Sequence, residues 1–188
     1  MFKKSATRFT THNLALMGML SAVSILLVLT VRIPLMPTAP WLTYDMADIP
    51  ILLGAFILGP VAGMLILLVT AFIHAFMLGG HNIIGFIMNV TASGALVLVS
   101  SFMFRKLGDT NRSLAISLIT GGLVMTALMI PMNLIFTPLL FGMPVQAVID
   151  MILPVLLPFN LIRAGANATI FFVVYKALRA LLPQYLKR

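Results

Sequence analysis

Long apolar runs, broken by short polar or proline-containing stretches, dominate the chain. Six hydrophobic segments stand out: about Asn13–Val31, Ile49–Leu58, Val61–Leu78, Ile83–Phe104, Leu114–Leu139 and Pro154–Leu182. Five of them are long enough to be membrane helices, since a bilayer core takes about 20 helical residues. The second covers only about 15 Å as a helix, so it does not cross cleanly by itself. Residues 49–78 therefore read either as two helices turning at Gly59-Pro60 or as one broken helix. The first reading makes six spans and the second five.

Charge separates the two. Lys3, Lys4 and Arg8 precede the first segment, Arg105, Lys106 and Arg112 lie between the fourth and fifth, and Lys176, Arg179, Lys187 and Arg188 end the chain. The positive-inside rule puts all three clusters in the cytoplasm. Six crossings satisfy it, whereas five place the two ends of the chain on opposite sides. The outer loops are then Arg32–Asp48, Gly79–Asn82 and Leu140–Leu153, with Gly59-Pro60 a tight cytoplasmic turn. The expected fold is an all-α membrane protein, a six-transmembrane-helix bundle with both termini cytoplasmic and residues 1–188 in one membrane domain.

Composition agrees. Hydrophobic residues make up 61% of the 188 and charged ones 9%, with a mean hydropathy of +1.13. Soluble domains are roughly 45–50% apolar. A net charge of +8 would suggest nucleic acid in a soluble protein, but here the basic residues flank apolar segments and set orientation instead. No cysteine is present, which removes disulfides and thiolate metal sites. The first apolar stretch runs too long, without a small-residue cleavage site, to read as a removable signal peptide. There is no Gly-x-x-x-x-Gly-Lys phosphate loop, so ATP use would belong to another chain.

Candidate chemistry lies in polar residues on apolar helices. Arg163 is the most costly. In a helix starting near Pro154 it lies about nine residues in, roughly 13 Å, where an arginine costs at least ~2.5 kcal/mol. Asn160, Arg163 and Asn167 share a face at i, i+3 and i+7. The fifth segment carries Thr126, Asn133 and Thr137, and the fourth carries Asn82, Asn89, Ser93 and Ser100. His74 lies near the outer end of the third. Such asparagines serve either as glue between helices or as the lining of a polar pocket. Asn89, Asn133, Asn160 and Arg163 all fall in the outer or middle part of their segments, which favours a pocket for a neutral, hydrogen-bonding solute.

Glutamate is absent, and the acids are Asp45, Asp48, Asp109 and Asp150. None is placed by the sequence to neutralise Arg163 at its depth, which argues against a proton relay. Asp45 and Asp48 stand at the start of the second segment, as helix caps or ligand contacts. Pro34, Pro37 and Pro40 stiffen the loop before them, and its Trp41 and Tyr44 are either a membrane-interface belt or a lid that stacks on a planar ligand. Ala15, Gly18 and Ala22 form a small-residue face on the first segment, suited to close helix approach. Catalysis is disfavoured: Thr91-Ala92-Ser93-Gly94 resembles a rhomboid-type serine motif, with His74 and His81 available, but later segments carry no histidine, and Ser93 reads as a packing residue. No obvious repeat relates the two halves, which counts against a stand-alone secondary transporter.

Leu42-Thr43-Tyr44-Asp45-Met46-Ala47-Asp48-Ile49-Pro50 and Gly59-Pro60-Val61-Ala62-Gly63 resemble motifs of the substrate-binding S components of energy-coupling factor (ECF) vitamin transporters. Asn133 ahead of Pro138-Leu139-Leu140-Phe141-Gly142, together with Pro158-Phe159-Asn160-x-x-Arg163, resembles the riboflavin-specific branch. The resemblance runs along almost the whole chain. It implies a non-enzymatic transport subunit in a bacterial plasma membrane, with riboflavin as the transported ligand and no cofactor. Asn89, Asn133, Asn160 and Arg163 would line the site, with Thr43, Tyr44 and Asp45 contributing from the loop and His74 and Asn167 as further candidates. Ala15, Gly18 and Ala22 would meet the membrane coupling protein EcfT, which acts with two ATPase subunits. The chain departs from the family pattern at Arg163, where lysine is usual, and at His74, where asparagine is usual. Alternatives are an S component for another vitamin or a flavin-related precursor, or a secondary transporter.

Overall fold

The computed structural model describes residues 10–79 and 82–181. Lys3, Lys4, Arg8, His81, Leu182, Lys187 and Arg188 lie outside the described residues. Helix α1 spans Thr11–Thr30, and a two-stranded hairpin follows, β1 (Ile33–Pro34) against β2 (Thr43–Tyr44). Then come α2 (Asp48–Ile57), α3 (Pro60–Met77), α4 (Asn82–Leu107) and α5 (Asn111–Phe141). The last helical stretch runs from Val145 to Leu181 as α6 (Val145–Met151), a π-turn (Ile152–Leu156) and α7 (Leu157–Leu181). Among the described residues, five stretches are long and apolar enough to cross a membrane, and α2 is a shorter apolar helix.

Local chemistry sets the breaks. Thr10 caps α1 by accepting from the Asn13 amide at 3.3 Å, and Thr110 caps α5 by accepting from the Ser113 amide at 3.0 Å. Helices α2 and α3 are joined by Gly59 at φ 121°, a conformation open to glycine, and Pro60 takes the first position of α3. Past the turn, a Cβ on Gly63 would come within 2.5 Å of the Ala55 Cβ, so α2 folds back closely on α3. Residues 49–78 thus form two packed helices, not one broken helix. Arg32 closes the other end of this layer: Nε donates to the Val28 carbonyl at 3.0 Å and Nη2 to the Leu78 carbonyl at 3.4 Å. One cation thereby faces the C-terminal ends of both α1 and α3, where helix dipoles favour it.

The core lies between α2, α3, α4, α5 and α7. Helix α2 is buried along most of its length, including Asp48, Ile51, Leu52 and Ala55. Burial inside protein, not contact with lipid, is what suits a ten-residue helix to this place. Helices α4 and α5 touch where Gly121 meets the Leu96 carbonyl, and α5 meets α7 where Gly122 faces Ala164. Phe56, Phe104, Phe171 and Tyr175 pack ring against ring away from the hairpin, with centroids 4.8–5.7 Å apart. In contrast, α1 buries only Met17, Ser21, Ser24 and Val28 and stands at the periphery.

The expected start of the last helix near Pro154 is corrected. Helix begins at Val145, and only Gly142–Pro144 separates it from α5. Gly142 ends α5 in the left-handed conformation, φ 64°. Pro154, which has no amide hydrogen, falls in the π-turn and does not end the helix. Arg163 is consequently at the midpoint of a 37-residue helical stretch, about 55 Å long.

Candidate functional site

At the hairpin end, five elements bring polar side chains together. Ser24 of α1 donates to the Ala47 carbonyl at 2.9 Å, fixing the chain as it enters α2. The amide of Ala47 in turn donates to Asp45 Oδ1 at 3.0 Å. Asp48 follows as the first residue of α2, 1% exposed. It makes no capping bond. Its Oδ2 accepts from Arg163 Nη2 at 3.1 Å and from Asn167 Nδ2 at 2.6 Å.

This overturns the expectation that no carboxylate neutralises Arg163. Helix α2 is so short that it starts within the protein, and its first residue arrives beside α7 instead of in an outer loop. The cap reading of Asp48 falls with it, whereas Asp45 does bond a backbone amide ahead of the helix. The resulting ion pair is part-buried, with the Asp48 side chain 2% and the Arg163 side chain 14% exposed. Removing one partner of such a pair strands the other, at about 3–5 kcal/mol.

Further bonds extend the pair in both directions. Arg163 Nη2 also donates to Ser93 Oγ at 3.1 Å, and the Ser93 hydroxyl donates to Asn89 Oδ1 at 3.2 Å. On the hairpin side, the Tyr44 hydroxyl donates to Asn167 Oδ1 at 3.0 Å, and Asn167 is fully buried. Burial first, then the nearby Asp48 carboxylate, pushes the Tyr44 phenol up to about 12, so it stays protonated and donating. Burial likewise pushes the Asp45 carboxyl above its ordinary value, with Arg163 opposing and Asp48 adding to the rise. The network thus reads Tyr44, Asn167, Asp48, Arg163, Ser93, Asn89, across β2, α2, α4 and α7. Within the described residues, Arg163 Nε and Nη1 make no hydrogen bond, and both of its bonds run through Nη2.

The other expected residues are distributed around it. Asn133 and Asn160 are buried, but each amide donates to its own helix four residues back, to Met129 at 2.7 Å and to Leu156 at 2.8 Å. Asn133 Oδ1 also accepts from the Thr137 hydroxyl at 3.1 Å. Neither enters the network, so the shared face of Asn160, Arg163 and Asn167 divides: the latter two meet Asp48 and Asn160 does not. His74 is half-buried on α3 and within electrostatic range of Asp45. Thr43 pairs with Pro34 and is exposed. Trp41 packs on Phe141 at the end of α5, with ring centroids 4.7 Å apart, joining the loop to that helix.

Two residues were missing from the expected set. Ser93, read as a packing residue, accepts from the arginine. Asp48, left between cap and ligand contact, is its counterion. The signal for Asp48 was the length of its helix, too short to hold its first residue at the membrane surface.

Ala15, Gly18 and Ala22 are all exposed on α1. A Cβ on Gly18 would meet nothing within 4 Å. Gly18 and Ala22 border a shallow apolar groove with Ile25, Leu65 and Val69, between α1 and α3. They are not packed inside the bundle. Among the described residues, no group of His, Cys, Asp or Glu could hold a metal ion.

Known proteins are similar to this chain in sequence, and a solved structure is similar in fold. The riboflavin transporter RibU of Staphylococcus aureus is 30% identical over 173 residues, covering 88% of this chain and 89% of the relative. RibU of Streptococcus thermophilus is 26% identical, covering 92% and 85%, and the riboflavin transporter FmnP of Bacillus subtilis is 27% identical, covering 92% and 94%. A solved structure of the S component of a bacterial ECF transporter superposes with a TM-score of 0.79 at 29% identity, covering 91% of this chain and 97% of that one. The profile of the family described as ECF transporter, substrate-specific component, matches residues 12–175. The chain belongs to the family of substrate-specific components of ECF transporters.

Proposed function

We propose that this chain binds riboflavin at the hairpin end and passes it inward as the S subunit of a transporter energised by EcfT and two ATPase subunits. The carrying observation is Arg163. It is held mid-helix by Asp48 and Ser93 through one nitrogen, while Nε and Nη1 remain without a partner within the described chain. A guanidinium whose charge is already balanced suits a neutral ligand with hydrogen-bond acceptors better than an anion. The heterocyclic carbonyls of riboflavin are such acceptors. That three relatives are riboflavin transporters supports the same ligand.

In this reading Asn89, Asn133, Asn160 and Arg163 contact the vitamin, with Thr43, Tyr44 and Asp45 above it and His74 beside Asp45. Tyr44 and Asn167 hold the loop closed over it. The five long helices and α2 make six crossings of the bacterial plasma membrane, with the hairpin outside and the termini inside. Arg105, Lys106, Arg112, Lys176 and Arg179 all lie at the helix ends away from the hairpin, as the positive-inside rule requires. The exposed face of Ala15, Gly18 and Ala22 is the docking face for EcfT, where small side chains permit close approach.

Purified protein tests this reading. It should carry flavin absorbance, or bind added riboflavin tightly, and Arg163→Ala should weaken that binding. Protein that stays colourless and ignores riboflavin, yet binds another vitamin in a thermal-shift screen, would reassign the ligand. Ion-gradient-driven uptake by vesicles holding this chain alone would favour a secondary transporter.

A further inference from the structure

We infer that Asp48 and Ser93 are positioning residues for the ligand: together they clamp Nη2 of Arg163 and so set the direction of its remaining donors. The inference rests on the riboflavin reading above. A guanidinium has five N–H donors in a rigid planar fork. Two belong to Nη2, and two acceptors meet that atom, Asp48 Oδ2 at 3.1 Å and Ser93 Oγ at 3.1 Å. The three donors on Nε and Nη1 have no acceptor within the described residues. Because the group is planar, fixing Nη2 from two sides leaves the fork little rotation. The remaining N–H groups, one on Nε and two on Nη1, are thereby held in fixed directions in one plane, each open to a single acceptor on a flat ligand.

Asp48 is itself held. Asn167 Nδ2 donates to the same Oδ2 at 2.6 Å, and the first turn of α2 is buried. Ser93 is held too, since its hydroxyl proton goes to Asn89 Oδ1 at 3.2 Å. That leaves the Ser93 oxygen as an acceptor for Arg163. The carboxylate has a second effect. It pairs with the Arg163 charge, so a ligand meets donors on a guanidinium that already has a counterion. Neither Asp48 nor Ser93 needs to touch the ligand for this to work. Each acts through Arg163, and that is the property to test.

The experiment is a double-mutant cycle on riboflavin affinity with the purified full chain, read by quenching of flavin fluorescence. Asp48→Asn should weaken binding about tenfold or more, the scale of a lost hydrogen bond to a charged group. Ser93→Ala should weaken it several-fold, on the scale of a single ordinary hydrogen bond, and it serves if Asp48→Asn fails to fold. In an Arg163→Gln background both changes should lose most of their effect, because the fork they orient is gone. A merely structural role would lower the melting temperature and give the same loss of affinity in both backgrounds. Equal losses with and without Arg163, or unchanged affinity in Ser93→Ala, would overturn the inference while leaving riboflavin binding intact. Wild-type chain that does not bind riboflavin would remove the functional reading, and this inference with it.

Discussion

Replacing Tyr44 with phenylalanine removes one oxygen atom from the bond that ties the hairpin to α7. The Tyr44 hydroxyl lies 3.0 Å from Asn167 Oδ1, and Asn167 is fully buried. In Tyr44→Phe that amide oxygen loses its partner and water does not replace it. A buried polar group left unsatisfied costs about 1–3 kcal/mol. The ring stays, so packing is conserved and the cost falls on the closed position of the loop. If the loop covers bound riboflavin, closure weakens by that amount. Taking about 1.4 kcal/mol, the off-rate rises about tenfold while the on-rate changes little. Displacement of bound flavin in a stopped-flow instrument reads this directly. An off-rate within twofold of wild type would refute the latch. It would do so even if the melting temperature fell, because the energy of the bond would then reside in the fold and not in the lid.

Three further outcomes follow from the same structure. Gly63→Ala places a Cβ within 2.5 Å of the Ala55 Cβ and should cost about 1–3 kcal/mol by overpacking, seen as a lower melting temperature. Gly18→Leu adds bulk where nothing lies within 4 Å, so riboflavin binding should persist while uptake with the ATPase module is lost; normal uptake would reject this face as the docking surface. Asp45 titrates above its ordinary value when folded, so the folded state binds more protons than the unfolded one between the two pKa values. Stability from this group is therefore present at low pH and declines as pH rises through that window. Asp45→Asn should flatten that decline in melting temperature against pH, and an unaltered profile would assign it to another group.

Helix positions were largely legible because apolar runs and breakers act locally. The expected Leu114–Leu139 became Asn111–Phe141, and the short second segment became α2 almost residue for residue. The stretch after Gly142 was not legible. Gly142 and Pro144 suggest a loop, and Gln146 and Asp150 make the next turns polar. Yet those two side chains bond each other at 3.1 Å one helical turn apart, and the helix continues. The site was legible in residue type more than in pairing. Periodicity places Asn160, Arg163 and Asn167 on one face. It does not show that the Asn160 amide turns back to Leu156, or that α2 delivers Asp48 to Arg163 across 115 positions of sequence. Both depend on how helices pack.

That packing also changes what Arg163 means. The sequence already favours a neutral, hydrogen-bonding solute but leaves the arginine without a counterion, and the packing supplies one. An arginine paired with Asp48, with its Nε and Nη1 donors uncommitted among the described residues, suits a neutral ligand read by shape and hydrogen bonds. Titrating the purified chain with riboflavin tests this most directly. Saturable quenching with one flavin per chain, weakened by Arg163→Ala, is the expected result. Protein that is folded by its melting curve yet gives no quenching would contradict it.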